Sequence, residues 1–164
     1  MKLEGELNLD TSLRLRAGRK GDRAGIRALV YGVLADYGLQ PDPEHTDRDL
    51  EDIEETYLKA GGVFYVLENN EGEIVGTLGL CRIDERTCEL RKMYLAKTYR
   101  GHGWGKKLME KALAEARRLG FQKMILETAS VLTEAIQLYR RYGFTPYESK
   151  HLSSRCDQAY GLHL

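Results

Sequence analysis

Residues 89–106, ELRKMYLAKTYRGHGWGK, restrict the fold more than any other stretch of the chain. The apolar run 90–95 reads as a strand and 96–99 as a short connection. Arg100-Gly101-His102-Gly103-Trp104-Gly105 then places three glycines at every second position beside a cation, and a long amphipathic helix begins at once. Glycine lets backbone approach a ligand closely. A helix start offers unpaired N–H groups at the positive end of its dipole, a combination that binds phosphate. The stretch therefore describes an anion cradle between a strand and a helix. Spacing excludes two common nucleotide motifs. A GxxxxGK(S/T) loop needs Ser or Thr after its lysine, and here Gly105 is followed by Lys106-Lys107; a GxGxxG turn needs glycine where Lys106 stands.

The elements around this stretch follow from periodicity. Residues 12–17 alternate Leu13, Leu15 and Ala17 against Arg14 and Arg16, the pattern of a half-buried strand. Asp22 is a candidate N-cap. Ile26, Leu29, Val30, Val33, Leu34 and Tyr37 then form one face of a helix that Gly38 stops. Residues 39–46, with Pro41 and Pro43, read as a loop. A second helix is expected over 47–60, striped by Leu50, Ile53, Tyr57 and Leu58. Strands at 63–68, 73–82 and 88–95 are joined by tight turns. After the cradle come a helix ended by Gly120, a strand at 123–128 and a last helix at 132–142. A final pair of strands is expected at 145–150 and 158–164. A helical crossover from 88–95 to 123–128 makes those two strands parallel. Residues 1–11 read either as an extension or as an added edge strand, and 12–164 as a single domain.

The pattern R-x-x-G-x-G, here Arg100, Gly103 and Gly105, resembles that of the GNAT superfamily of N-acetyltransferases. The resemblance extends upstream to Glu89, eleven residues before Arg100, where several members carry a catalytic glutamate. Downstream, Ala135-Ile136-Gln137-Leu138-Tyr139-Arg140-Arg141-Tyr142-Gly143-Phe144 is similar to the family's late A-x-x-L-Y-x-x-x-G-F helix. The implied fold is α/β (α+β): a mixed, mostly antiparallel sheet of about seven strands with about four helices and a V-shaped split between the two central parallel strands.

The resemblance implies acetyl-CoA as co-substrate and no metal. Its pyrophosphate is expected on the backbone N–H groups of Gly101, His102, Gly103, Trp104, Gly105 and Lys106, with Arg100 adding charge. The His102 and Trp104 side chains have no assigned role beyond surface or packing. The pantetheine arm is expected to pair with the backbone of Met93, Tyr94 and Leu95, where a bulge opens the gap. The Met93 N–H is the expected oxyanion donor. Glu89 is the candidate general base; its alternative is a surface pair with Arg91 or Arg82. Tyr139 is the candidate acid for the departing thiolate, since a phenol of ordinary pKa about 10 stays protonated at neutral pH; its alternative is a core position. Leu132 departs from the family, many members of which carry there an asparagine that contacts the pantetheine; Thr133 or Ser130 are the possible substitutes. The acidic cluster Asp47, Asp49, Glu51 and Asp52 either begins a solvated helix or holds a cationic amine. The loop 151–157 either recognises acceptors or is an ordinary polar loop.

Composition narrows the partners. With 25 basic and 25 acidic residues the formal net charge is zero, which argues against general nucleic-acid binding. Three cysteines without metal spacing suit reduced thiols in a cytoplasmic protein. Neither a membrane span nor a signal peptide is expected. The first reading is an N-acetyltransferase acting on a primary amine of a small molecule or peptide, as a possible homodimer. The second is a non-catalytic acyl-CoA-binding module, and the third a scaffold of the same shape without CoA.

Overall fold

A computed structural model describes residues 12–164. The expectation for residues 1–11 lies outside the described residues. Among the described residues seven strands form one sheet: β1 (Arg14–Ala17), β2 (Val63–Glu68), β3 (Ile74–Arg82), β4 (Thr87–Leu95), β5 (Lys123–Thr128), β6 (Thr145–Pro146) and β7 (Gln158–His163). Their order is β1-β2-β3-β4-β5-β7-β6. The β4–β5 pair is parallel and the other five pairs are antiparallel. The helices are α1 (Arg23–Asp36), α2 (Trp104–Arg118) and α3 (Thr133–Arg141). This is the expected architecture.

Helices cover each face of the sheet, and the buried stripes of α1 and α2 are those expected from the sequence. Leu108, Met109, Ala112, Leu113 and Ala116 of α2 pack with Ile136 and Tyr139 of α3 against Leu78, Leu80, Leu90 and Met124. On the other face Ile26, Val30 and Leu34 of α1 pack with Leu50, Ile53 and Tyr57 against Phe64 and Val66. Each large side chain buried in this way contributes about 1.5–3 kcal/mol.

Three elements differ from expectation. Asp22 precedes α1 without a side-chain cap. Its carboxylate instead takes both prongs of Arg16, each at 2.8 Å, and Arg16 also holds Glu68. The expected helix over 47–60 is broken into a 3-10 turn (Arg48–Glu51) and one wide π turn (Glu54–Leu58), separated by Asp52 in extended conformation, φ −150°, ψ 90°. The break follows from chemistry at its start. Asp47 and Asp49 are buried, so this segment turns two carboxylates inward rather than presenting them to solvent as a helix start would. The strand expected at 145–150 is limited to Thr145–Pro146, followed by one further backbone hydrogen bond from the Tyr147 N–H to the Ala159 carbonyl.

Candidate active site

The site forms where β4 and β5 part. They pair at Thr87–Lys123, Cys88–Met124 and Glu89–Ile125, and no further. Beyond that point β5 stays paired with β7 as far as Thr128–Gln158, while β4 continues along β3 to Leu95–Gly76. Glu89 therefore sits at the vertex of a V.

A bulge shapes the β4 arm. Arg91 faces Gly79 and Tyr94 faces Thr77, so Lys92 and Met93 together oppose the single residue Leu78. Lys92 is left-handed at φ 52°, the only non-glycine residue with positive φ among those described. A bulge shifts the alternation of side chains. Leu90 and Met93 accordingly join the cluster under α2 and α3, whereas Tyr94 joins the cluster on the opposite face.

The V opens into a cleft of about 1090 Å³. Glu89, Met93, Tyr94, Leu95, Arg100, Gly101, Gly103, Gly105, Lys106 and Tyr139 all line it. His102 and Trp104 do not. His102 is exposed, and Trp104 is buried against Leu13, Leu67 and Val75, where it anchors the start of α2. Gly103 caps α2 at φ 87°. A Cβ at Gly103 would meet no atom within 4 Å, so its glycine is required by the backbone conformation and not by neighbouring protein atoms. Arg100 is braced before any ligand arrives: Nε donates to the Leu95 carbonyl at 2.8 Å, one terminal nitrogen pairs with Asp36 at 3.1 Å, and the guanidinium lies over the Tyr37 ring.

Glu89 is half-buried and pairs with Arg91 on its own strand. Tyr139 is buried between the rings of Phe144 and Tyr160. Burial, reinforced by Tyr94 and Cys156, raises its phenol pKa above the ordinary value. Burial likewise pushes Tyr94 up to about 12.

Part of the cleft lining is ionic and includes Asp49, Lys92 and Arg155. The Lys92 ammonium reaches the Thr46 carbonyl at 3.0 Å, Asp49 at 3.1 Å and Asp47 at 3.3 Å. Asp47 also receives Arg155 of the β6–β7 loop at 2.6 and 2.8 Å. Burial opposes the Asp47 charge, but Arg155, the Asp42 amide and Lys92 hold its carboxyl below the ordinary range. Asp49 takes the Tyr57 hydroxyl. The acidic cluster is thus neither a solvated helix start nor an open amine trap in Asp47 and Asp49; it supplies counter-ions for two cations from distant parts of the chain. The 151–157 loop is more than polar filler, because Arg155 ties it to Asp47 and the Ser153 amide donates to Glu127 at 2.8 Å.

Lys92, Glu127 and Thr128 are among the cleft residues that had no sequence signal. Lys92 reads as one cation in a strand beside Arg91. Thr128 ends β5, is 3% exposed, and its Oγ1 has no hydrogen-bond partner among the described residues. Of the two substitutes considered for the missing asparagine at Leu132, Ser130 is held by Asp157 at 2.7 and 2.8 Å. Thr133 opens α3 and is not part of the cleft lining.

With cradle, split and cleft in place, the class of protein follows. The sequence matches the family described as the acetyltransferase (GNAT) family over residues 30–144. The chain belongs to the GNAT acetyltransferase family. An uncharacterized N-acetyltransferase of Escherichia coli K12, YjgM, is 38% identical over 128 residues, covering 75% of this chain and 76% of that protein. The crystal structure of a GNAT-family acetyltransferase from Staphylococcus aureus Mu50 superposes with a TM-score of 0.86 at 25% identity, over 93% of this chain and 99% of that one. A spermidine N-acetyltransferase from Vibrio cholerae, solved with CoA and spermine, shares the fold at a TM-score of 0.68 and 20% identity, over 93% of this chain and 96% of that one.

Proposed function

We propose that the protein transfers an acetyl group from acetyl-CoA to a primary amine of a small molecule or peptide by direct attack. One observation carries the reading: β4–β5 pairing ends at Glu89–Ile125, and the cleft that opens there gathers the glycine cradle, the β4 bulge, Glu89 and Tyr139. Family membership and the CoA and spermine of the Vibrio enzyme support the same donor and acceptor classes. The donor also fits this chain's own chemistry. The open space over Gly101 and Gly103 leaves room for a diphosphate against the start of α2, and the orphaned Thr128 hydroxyl offers the pantetheine arm a hydrogen bond that Leu132 does not.

Each residue has a stated task. Gly101, Gly103, Gly105 and Lys106 present backbone N–H groups to the diphosphate, and Lys106 adds charge. Met93, Tyr94 and Leu95 pair with the pantetheine amides, and the Met93 N–H donates to the developing oxyanion. Glu89 takes a proton from the incoming ammonium through water, since an amine of pKa about 10.4 must be neutral to attack. Tyr139, protonated because buried, gives a proton to the leaving thiolate.

Thermal-shift titration with acetyl-CoA, followed by thiol release over a panel of spermidine, lysine, other amino acids and a short peptide, tests the reading. Stabilisation by acetyl-CoA with turnover of at least one amine supports it. Acetyl-CoA stabilisation with no turnover across the panel favours the non-catalytic acyl-CoA module. No stabilisation at millimolar acetyl-CoA would sink both.

A further inference from the structure

We infer that Lys92 is a positioning residue for acyl transfer: its buried ammonium, clamped by Asp47, Asp49 and the Thr46 carbonyl, holds the β4 bulge that aims the Met93 N–H into the cleft. The inference rests on the proposed acetyl transfer and adds to it a residue that acts through the backbone of another.

Four observations carry it. Lys92 lies in the left-handed region at φ 52°, which a lysine adopts only when its surroundings enforce it. Its side chain is 5% exposed and its ammonium has three partners at 3.0–3.3 Å, two of them carboxylates. A lysine so buried is rare unless paired. Its carbonyl accepts from the buried Thr77 hydroxyl at 2.6 Å, which fixes the other side of the same peptide. The residue so gripped is half of the Lys92–Met93 bulge, and the next N–H along the chain is that of Met93.

The clamp also explains the broken segment 47–58. On a regular helix Asp47 and Asp49, two residues apart, would not face the same way. Folded as short turns, the segment delivers both carboxylates to Lys92. The ionic cluster then acts on the reaction without touching substrate. It sets the direction of one backbone N–H, and oxyanion donors must be fixed before the charge develops.

The test needs no acceptor. An oxyanion donor polarises the thioester carbonyl of bound acetyl-CoA and lowers its stretching frequency. Infrared difference spectra of acetyl-CoA labelled with 13C at the acetyl carbonyl read this directly, alongside its Kd by calorimetry. Two variants are compared with wild type: Lys92→Met, and the charge-balanced double variant Lys92→Met/Asp49→Asn, which spares the fold an unpaired buried carboxylate. The expected result is a lowered frequency in wild type that returns towards the free value in both variants while Kd stays close to wild type. A folded variant that binds acetyl-CoA with the wild-type frequency overturns the inference, as does a wild-type spectrum without any lowering. Failure of wild type to bind acetyl-CoA removes the proposed function itself, and the inference with it.

Discussion

Asp47 and Arg155 stand 108 residues apart in the chain and meet in a two-pronged ion pair at 2.6 and 2.8 Å. The Asp47 side chain is fully buried and the Arg155 side chain 10% exposed. Through this contact the β6–β7 loop is fastened to the segment that supplies the counter-ions of Lys92, so two walls of the cleft share one anchor. Removing one partner of a buried pair typically costs about 3–5 kcal/mol, because the other charge stays behind without compensation. Asp47 keeps Lys92 when Arg155 is lost, which places Arg155→Met near the low end, about 3 kcal/mol. Urea unfolding of that variant and of Asp47→Asn/Arg155→Met measures it. The double variant should recover part of the loss; equal stability of single variant and wild type would mean the pair is not formed in solution.

Stability should fall on both sides of neutrality, for two different groups of residues. The Arg16 pair holds Asp22 below the ordinary carboxyl range, and Asp47 is held below it by Arg155, the Asp42 amide and Lys92 against the cost of burial. An unfolded aspartate takes up a proton near pH 3.9 while the folded one resists, so this stabilisation is complete above about pH 4 and is lost as pH falls below it. On the alkaline side burial pushes Cys88 and Tyr94 each up to about 12, and raises Tyr57 and Tyr139 as well. The unfolded thiol and phenols ionise near 8.5 and 10, the folded ones later, so stability erodes as pH rises from about 8.5. A Tm profile from pH 3 to 11 should be a dome, and Asp47→Asn/Arg155→Met should flatten its acid limb only.

In the proposed mechanism Glu89 and Tyr139 divide the reaction between them. Glu89→Gln should lower kcat by about 10²-fold or more at neutral pH, with acetyl-CoA affinity unchanged, and the loss should shrink as pH rises and the amine deprotonates unaided. Tyr139→Phe should lower kcat with no such pH recovery, because the buried phenol stays protonated throughout. Stopped-flow thiol release across pH separates the two. An unchanged kcat in Glu89→Gln would leave the glutamate as a partner of Arg91 alone.

Much of this architecture is legible in the sequence where one physical signal suffices. Apolar periodicity places α1, α2 and the strands; alternating glycines before α2 place the cradle; a helical crossover makes β4 and β5 parallel. Long-range charge is what the sequence hides. Asp47 and Asp49 look like the first turn of a wet helix because nothing nearby announces Lys92 and Arg155 as their partners, and the helix breaks for those distant cations. Thr128 is invisible for a related reason: a threonine ending a strand is ordinary, and what distinguishes it is that its buried Oγ1 has no partner among the described residues.

Gly103 separates backbone strain from ligand contact. At φ 87° any side chain costs about 1–2 kcal/mol of conformational strain, yet a Cβ there meets no protein atom within 4 Å. Gly103→Ala should therefore remain folded with Tm a few degrees lower, while its acetyl-CoA-induced shift falls sharply because the methyl group would stand where the diphosphate is proposed to approach. A normal ligand shift in Gly103→Ala would place the diphosphate elsewhere along α2.

Thr128 gives the most selective prediction, since its hydroxyl has no hydrogen-bond partner among the described residues to lose. Replacing a hydrogen-bonded buried threonine by valine leaves the former partner unsatisfied and costs about 1–3 kcal/mol. Thr128 Oγ1 has no such partner among the described residues, so Thr128→Val should be as stable as wild type or slightly more so. A hydroxyl that serves the pantetheine arm reverses the sign once the donor is present: acetyl-CoA affinity should fall by about tenfold, the equivalent of one hydrogen bond of about 1.4 kcal/mol. Calorimetric titration of wild type and Thr128→Val with acetyl-CoA, and with desulfo-CoA to remove the thioester, locates the contact. Equal loss for both ligands assigns Thr128 to the pantetheine amides, and loss confined to acetyl-CoA assigns it to the thioester. No loss for either would leave the hydroxyl to solvent in the cleft and the place of the missing asparagine unfilled.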